Sequence, residues 1–215
     1  MKVINFAKQN TIINQYVAEL RDVNIQKDRA RFRYNLSRIG QMMAYEISKT
    51  LQYSEKTIQT PLAKAKASTA DNEIVLGTIF RAGLPFHQGF LDVFDNAGNA
   101  FVSAYRYYKD KECKHVGIKI EYIATPDLTD KTLIIADPML ATGGSSIAAI
   151  QMLKDKGCKN IHFMCIIAAP EGVEAMKEAH PDVDMYIGAL DEKLNDHGYI
   201  VPGLGDAGDR IFGTK

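Results

Sequence analysis

The chain has 215 residues, 46% of them apolar, enough to bury the core of one domain spanning residues 1–215. Its 26 Lys and Arg balance 26 Asp and Glu, so it lacks the net positive field that general duplex binding requires, and no nucleic-acid partner is expected. Three cysteines, Cys113, Cys158 and Cys165, form no C-x-x-C pair, and an odd number suits packing or surface thiols in a reducing compartment better than a disulfide framework.

The N-terminal MKVINFAKQN interrupts its apolar residues with charges and amides before a secretory segment could form. From 29 to 51 the residues Phe32, Leu36, Ile39, Met43 and Ile47 recur at steps of three and four, which predicts an amphipathic helix covering a core. Aliphatic runs at 74–79, 100–105, 132–136, 160–168 and 184–189 read as buried strands. Charge is dense at 107–117, as in a surface loop. Two helical patterns, 145–156 and 171–179, separate the last three strands, and this alternation requires parallel strands with right-handed crossovers. The first of these helices can be capped by Ser145 or Ser146, buries Ile147, Ile150 and Leu153, and is closed by Gly157. The greasiest run, 161–169, contains His162 and falls well short of the ~18 apolar residues of a membrane helix. A cytoplasmic protein with no membrane partner is expected. Residues 195–215 hold five glycines without periodicity and read as a long irregular tail.

Strand 132–136 runs directly into Asp137-Pro138-Met139-Leu140-Ala141-Thr142-Gly143-Gly144-Ser145 and then a helix. A helix N-terminus at the carboxyl end of a parallel strand offers unpaired N–H groups and a positive dipole end to phosphate. Gly143 and Gly144 admit close backbone approach, and the hydroxyls of Thr142 and Ser145 can add donors. Asp137 should instead accept hydrogen bonds from sugar hydroxyls, which points to a ribose phosphate. Thr-Gly-Gly-Ser alone could equally be a helix-capping loop; the carboxylate at the strand end distinguishes the two. Arg81 and Arg106 lie just past strands 74–79 and 100–105, where permanently charged planar forks suit a diphosphate.

A hydrophobic strand, an acid and Thr-Gly-Gly-Ser resemble the phosphoribosyl pyrophosphate motif of the type I phosphoribosyltransferases. Pro138 stands where most members carry a second acid, and this variant is similar to the uracil-specific branch. Phe80-Arg-Ala-Gly-Leu-Pro85, Tyr105-Arg106, Ala168-Ala-Pro-Glu-Gly172 and the tail GYIVPGLGDAGDRIFGTK share the resemblance. It implies an α/β fold, a mainly parallel twisted sheet flanked by helices, with a small hood formed by the N- and C-terminal segments. It implies that 137–145 with Arg81, Arg106 and Asp206 bind phosphoribosyl pyrophosphate, and that Ile200, Gly205, Asp206 and Ala207 hold uracil. It also implies homodimers or higher assemblies and a GTP activator.

Gly203-Leu-Gly205-Asp-Ala-Gly208 matches G-x-G-x-x-G, but only seven residues follow, too few for the ~30-residue dinucleotide-binding unit. The glycines can instead turn main-chain N–H and C=O groups toward a planar base, and uracil presents acceptor, donor, acceptor. The reaction expected is transfer of the phosphoribosyl group to uracil N1, with Arg81, Arg106 and Mg2+ stabilising the departing pyrophosphate. Mg2+ favours water and substrate oxygens, so no protein metal cluster is expected. Asp206 is the candidate to orient uracil or take its N1 proton, and 107–117 is a candidate lid. Two alternatives stay open: a pyrimidine-responsive RNA-binding regulator, and a transferase for a purine or orotate.

Overall fold

The computed structural model describes residues 1–108 and 116–213, with side chains for all of these except 105–108 and 116–120. The first half comprises β1 (Val3–Asn5), α1 (Ile12–Arg21), α2 (Arg29–Ser48), β2 (Tyr53–Gln59), β3 (Lys64–Ala70), β4 (Ile74–Phe80), α3 (Leu84–Leu91) and β5 (Gly98–Tyr108). The second comprises β6 (Val116–Ala124), β7 (Thr132–Ala136), β8 (Met139–Leu140), α4 (Gly144–Asp155), β9 (Asn160–Ala168), α5 (Pro170–Ala179), β10 (Asp184–Leu190), β11 (Lys193–Leu194), β12 (Ile200–Val201) and α6 (Ala207–Phe212). No described helix is long and apolar enough to cross a membrane.

The main sheet runs β1-β10-β9-β7-β4-β5-β6, with β8 attached to β9. Every pairing is parallel except β5 with β6. The expected α/β sheet is therefore present, and strands read as near-continuous apolar runs because helices cover both faces. Alternation along the strands sorts the core. Leu76, Ile134, Ala136, Met164 and Tyr186 pack with Leu20 of α1, Leu36 of α2 and Phe86 of α3. Val75, Leu133, Ile135, Phe163 and Ile187 pack with Ile150 and Leu153 of α4 and Met176 of α5. Each large side chain so removed from water contributes about 1.5–3 kcal/mol, so a five-residue strand such as β7 is held by what covers it.

The sheet order places the site. From β4 the chain moves one way to β5, whereas β7, β9 and β10 lie on the other side of β4. β4 and β7 are neighbours whose outgoing loops diverge, and at such a switch point, beyond the strands' carboxyl ends, open α/β sheets bind ligands.

Three details differ from the sequence reading. The helix at 29–51 ends at Ser48. The tail is not irregular throughout: β11 and β12 form an antiparallel pair, and α6 packs its buried Ile211 under α2, where Arg33 Nη1 donates to the Ile211 carbonyl at 3.0 Å. Strands β5 and β6 extend through residues 108 and 116, so the ends of the 107–117 loop belong to the sheet; its centre lies outside the described residues. β2 and β3 form a hairpin that gives no residue to either core cluster.

The N-terminal helices are joined by a carboxylate. Glu19 on α1 accepts from Arg31 Nε at 2.9 Å, Arg31 Nη2 at 2.8 Å and Asn35 Nδ2 at 2.7 Å, all on α2. The Arg31 fork, then Asn35, lower the Glu19 carboxyl from 4.5 to about 2. Because the folded value is depressed, this stabilisation is complete above about pH 4.5 and is lost as pH falls through about 2. Glu19→Gln should lower the urea midpoint at neutral pH, with the gap from wild type narrowing as pH drops through that window; a gap independent of pH would refute the ion pair's contribution.

Candidate active site

β7 delivers Asp137 to the edge of the sheet, half-buried, where Asp137 Oδ2 accepts from Ser146 Oγ at 3.2 Å. The next residues are fastened rather than loose. The Pro138 carbonyl accepts from Ile166 and Ile167 N–H at 3.0 and 3.1 Å, and Leu140 accepts from Ala169 N–H at 2.9 Å. Met139 and Leu140 thus extend the sheet as β8. The chain then turns through Ala141, Thr142 and Gly143 into α4.

Gly143, not a serine, is the N-cap. Its φ of +82° lies in the left-handed region that favours glycine, and no side chain caps the helix. The expectation that Ser145 or Ser146 caps α4 is therefore corrected. Both lie inside the helix, where Ser146 is buried and turned to Asp137, while Ser145 faces the cleft. An α4 end without a side-chain cap presents main-chain N–H groups and the positive dipole end outward, the arrangement that holds anions. Beneath it, burial pushes the Cys165 thiol well up, and the Asp137 carboxylate adds to the effect. Cys165 and Cys158 are buried and free, as packing thiols; Cys113 lies outside the described residues.

Across the switch point, Arg81 follows β4 and is exposed, joined to Phe80 by a cis peptide. The tail closes the third side. Asp206 N-caps α6, its Oδ1 accepting from Asp209 N–H at 2.9 Å. These elements surround one cleft of about 1140 Å³, lined by Arg81 and Ala82, by Asp137, Pro138, Met139, Ala141, Thr142 and Ser145, and by Gly205, Asp206 and Ala207. Sequence-distant candidates are thus brought together.

Four placements refine the sequence reading. The Ile200 side chain points into the core at 5% exposure, so only its main chain is available to a ligand. Leu140, Gly143 and Gly144 support the wall rather than line it. Arg106 is not past its strand but within β5, paired with Ile118, and its side chain is outside the described set. Residues 196–199 also line the cleft, although the sequence reading assigns none of them to the site. Their local signal is an Asn-turn, in which Asn195 Oδ1 accepts from the N–H of both His197 and Tyr199 at 3.0 Å.

Fold and cleft together define a phosphoribosyltransferase architecture. The chain superposes on the orotate phosphoribosyltransferase of Mycobacterium tuberculosis in complex with 5-phospho-α-D-ribosyl 1-diphosphate, with a TM-score of 0.51 and 12% identity over 87% of this chain and 94% of that one. A family model described as uracil phosphoribosyltransferase matches residues 7–214. The uracil phosphoribosyltransferase of Porphyromonas gingivalis is 51% identical over the whole of both chains. The AQ2163 protein from Aquifex aeolicus superposes with a TM-score of 0.89 and 32% identity over 99% of each chain. The chain belongs to the uracil phosphoribosyltransferase family.

Proposed function

We propose that this chain, as one phosphoribosyltransferase domain, transfers the phosphoribosyl group of phosphoribosyl pyrophosphate to uracil N1, giving UMP and pyrophosphate. The convergence of the Arg81 loop, the Asp137–α4 turn and the Gly205–Ala207 turn on one cleft supports this reading best. The turn at 141–145 holds the 5′-phosphate against the α4 N-terminus. Asp137 accepts from the ribose hydroxyls, and Arg81 and Arg106 pair with the diphosphate. The main chain of Ile200 and of Gly205, Asp206 and Ala207 reads uracil. One Asp206 oxygen is engaged by α6, so we assign the other to the ribosyl group or the uracil N1 proton.

In the transfer the bond from C1′ to the diphosphate oxygen breaks with its electron pair leaving on pyrophosphate. Uracil N1 bonds to C1′ and gives its proton to the other Asp206 oxygen or to the departing pyrophosphate. Rate then comes from alignment and from charge placed where pyrophosphate develops. Among the described residues no three His, Cys, Asp or Glu side chains gather as a metal cage. The dispersed carboxylates of Asp137 and Asp206 fit an ion carried mainly by substrate oxygens and water. Magnesium bound there would neutralise diphosphate charge.

The resemblance further supports a cytoplasmic homo-oligomer activated by GTP. Ile58 and Leu62, the latter 96% exposed on the β2–β3 hairpin, suit a surface closed by another copy. The balanced charge supports a role without nucleic acid. The test is pyrophosphate release with phosphoribosyl pyrophosphate, Mg2+ and a panel of bases. Release with uracil alone is expected; comparable release with orotate, hypoxanthine or guanine would overturn the assignment.

A further inference from the structure

Outside the cleft, one partly buried ion pair grips main chain. Asp191 follows β10, and its N–H donates to the Ala168 carbonyl at the end of β9 at 2.8 Å, which fixes its backbone to the sheet. Its carboxylate is 3% exposed and takes both terminal nitrogens of Arg21, the last residue of α1, with Nη1 at 2.8 Å from Oδ2. The same Oδ2 accepts from Gly203 N–H at 2.9 Å, and the same Nη1 donates to the Gly203 carbonyl at 3.0 Å. Both main-chain polar groups of one glycine are therefore held by one charge pair.

Gly203 is the pivot of the tail. Its φ is +63°, and a Cβ there would stand 2.1 Å from the Ile200 carbonyl, so the chain doubles back tightly on Ile200. Ile200 lies three residues before it, and the cleft-lining turn 205–207 begins two residues after it. Glycine has no side chain by which packing could fix it, and hydrogen bonds to its peptide groups are the remaining means. Neither Arg21 nor Asp191 lines the cleft. A bidentate fork fixes geometry, and removing Arg21 would leave the buried Asp191 carboxylate uncompensated.

We propose that Arg21 and Asp191 are positioning residues for the base: they set the Gly203 pivot and thereby the spacing between Ile200 and 205–207 at which main chain meets a pyrimidine. This rests on the uracil reading above. The phosphate side of the cleft is built from β7, β8 and α4, which the pair does not touch, and of the groups assigned to phosphoribosyl pyrophosphate only Asp206 lies in the tail, so base binding should suffer far more than phosphoribosyl binding. Arg21→Lys keeps the charge but loses the planar fork; Asp191→Asn keeps an acceptor for Gly203 N–H but loses the charge.

The experiment compares wild type, Arg21→Lys and Asp191→Asn by steady-state kinetics in each substrate and by calorimetric titration with phosphoribosyl pyrophosphate and Mg2+ in the absence of base. Expected is a uracil KM raised roughly tenfold or more in both variants, since misplacements of about 1 Å cost up to 10²-fold, with the Kd for phosphoribosyl pyrophosphate within about twofold of wild type. The retained Kd also shows that the variants are folded. Parallel losses for both substrates, or a uracil KM within twofold of wild type, would overturn the proposal. A wild-type protein that releases no pyrophosphate with uracil would instead refute the functional reading.

Discussion

Asp137→Ala should lower kcat/KM by roughly 10²- to 10⁴-fold while leaving the protein folded. In the role proposed for it, the Asp137 carboxylate would accept from two ribose hydroxyls, two charge-assisted hydrogen bonds of about 1.5–3 kcal/mol each, and each 1.36 kcal/mol is tenfold in rate. The folded state should lose less, because Asp137 is half-buried and one of its partners, Ser146 at 3.2 Å, is a neutral hydroxyl on α4. Asp137→Asn keeps an acceptor in place and should fall between wild type and alanine. Kinetics over a range of phosphoribosyl pyrophosphate concentrations, paired with thermal unfolding, separates the two effects. If alanine retained more than a tenth of wild-type kcat/KM, or lost activity only in proportion to folded fraction, Asp137 would be a structural residue.

Gly172→Ala should be nearly as damaging, although Gly172 lies outside the cleft. A Cβ at this first turn of α5 would come 2.2 Å from the Ala141 carbonyl oxygen and 2.9 Å from that of Leu140. Both are backbone atoms, so no side chain can rotate away. Either α5 or the turn entering α4 must shift, and that turn is where we place the 5′-phosphate. Overpacking of this kind costs about 1–3 kcal/mol of stability, and a 1 Å displacement of a substrate-positioning loop costs up to about 10²-fold in rate. Glu171 alongside holds the tail, its Oε1 accepting from Leu194 N–H at 2.9 Å, so uracil binding should weaken too. Kinetics in both substrates, with circular dichroism confirming fold, checks this; KM and kcat within threefold of wild type would show that the turn absorbs a methyl group without loss.

Much of the α/β half was legible because its signals are local. β7 and β9 match their aliphatic runs, and α4 and α5 start within one residue of their patterns, since strands buried on both faces and amphipathic helices carry their environment in their own composition. The hairpin was not legible. Tyr53–Gln59 and Lys64–Ala70 are rich in Lys, Ser, Thr and Gln, with no buried face to impose apolar alternation. α1 has the spacing, with Ile13, Val17 and Leu20 buried, but only ten residues to show it. β1 exists because β10 is there to pair with.

The site divides similarly. Asp137 through Ser145 could be read because strand, loop and helix are consecutive. The serine caps were misjudged because a left-handed glycine does the work of ending the loop. Residues 196–199 show only a local Asn-turn, which does not reveal the cleft, and the Arg21–Asp191–Gly203 contacts carry no sequence signal, since they join residues up to 182 positions apart.

The parallel pairing of β1 with β10 and the grip of Arg21 on Gly203 also set an order of assembly during synthesis. The first strand and the first helix leave the ribosome well before the partners that complete them, which lie near the opposite end of the chain. A nascent chain can therefore assemble the strand–helix turn at 137–145 before residues 203–207 have been made, so the sides of the cleft we assign to phosphate and to base form in that order.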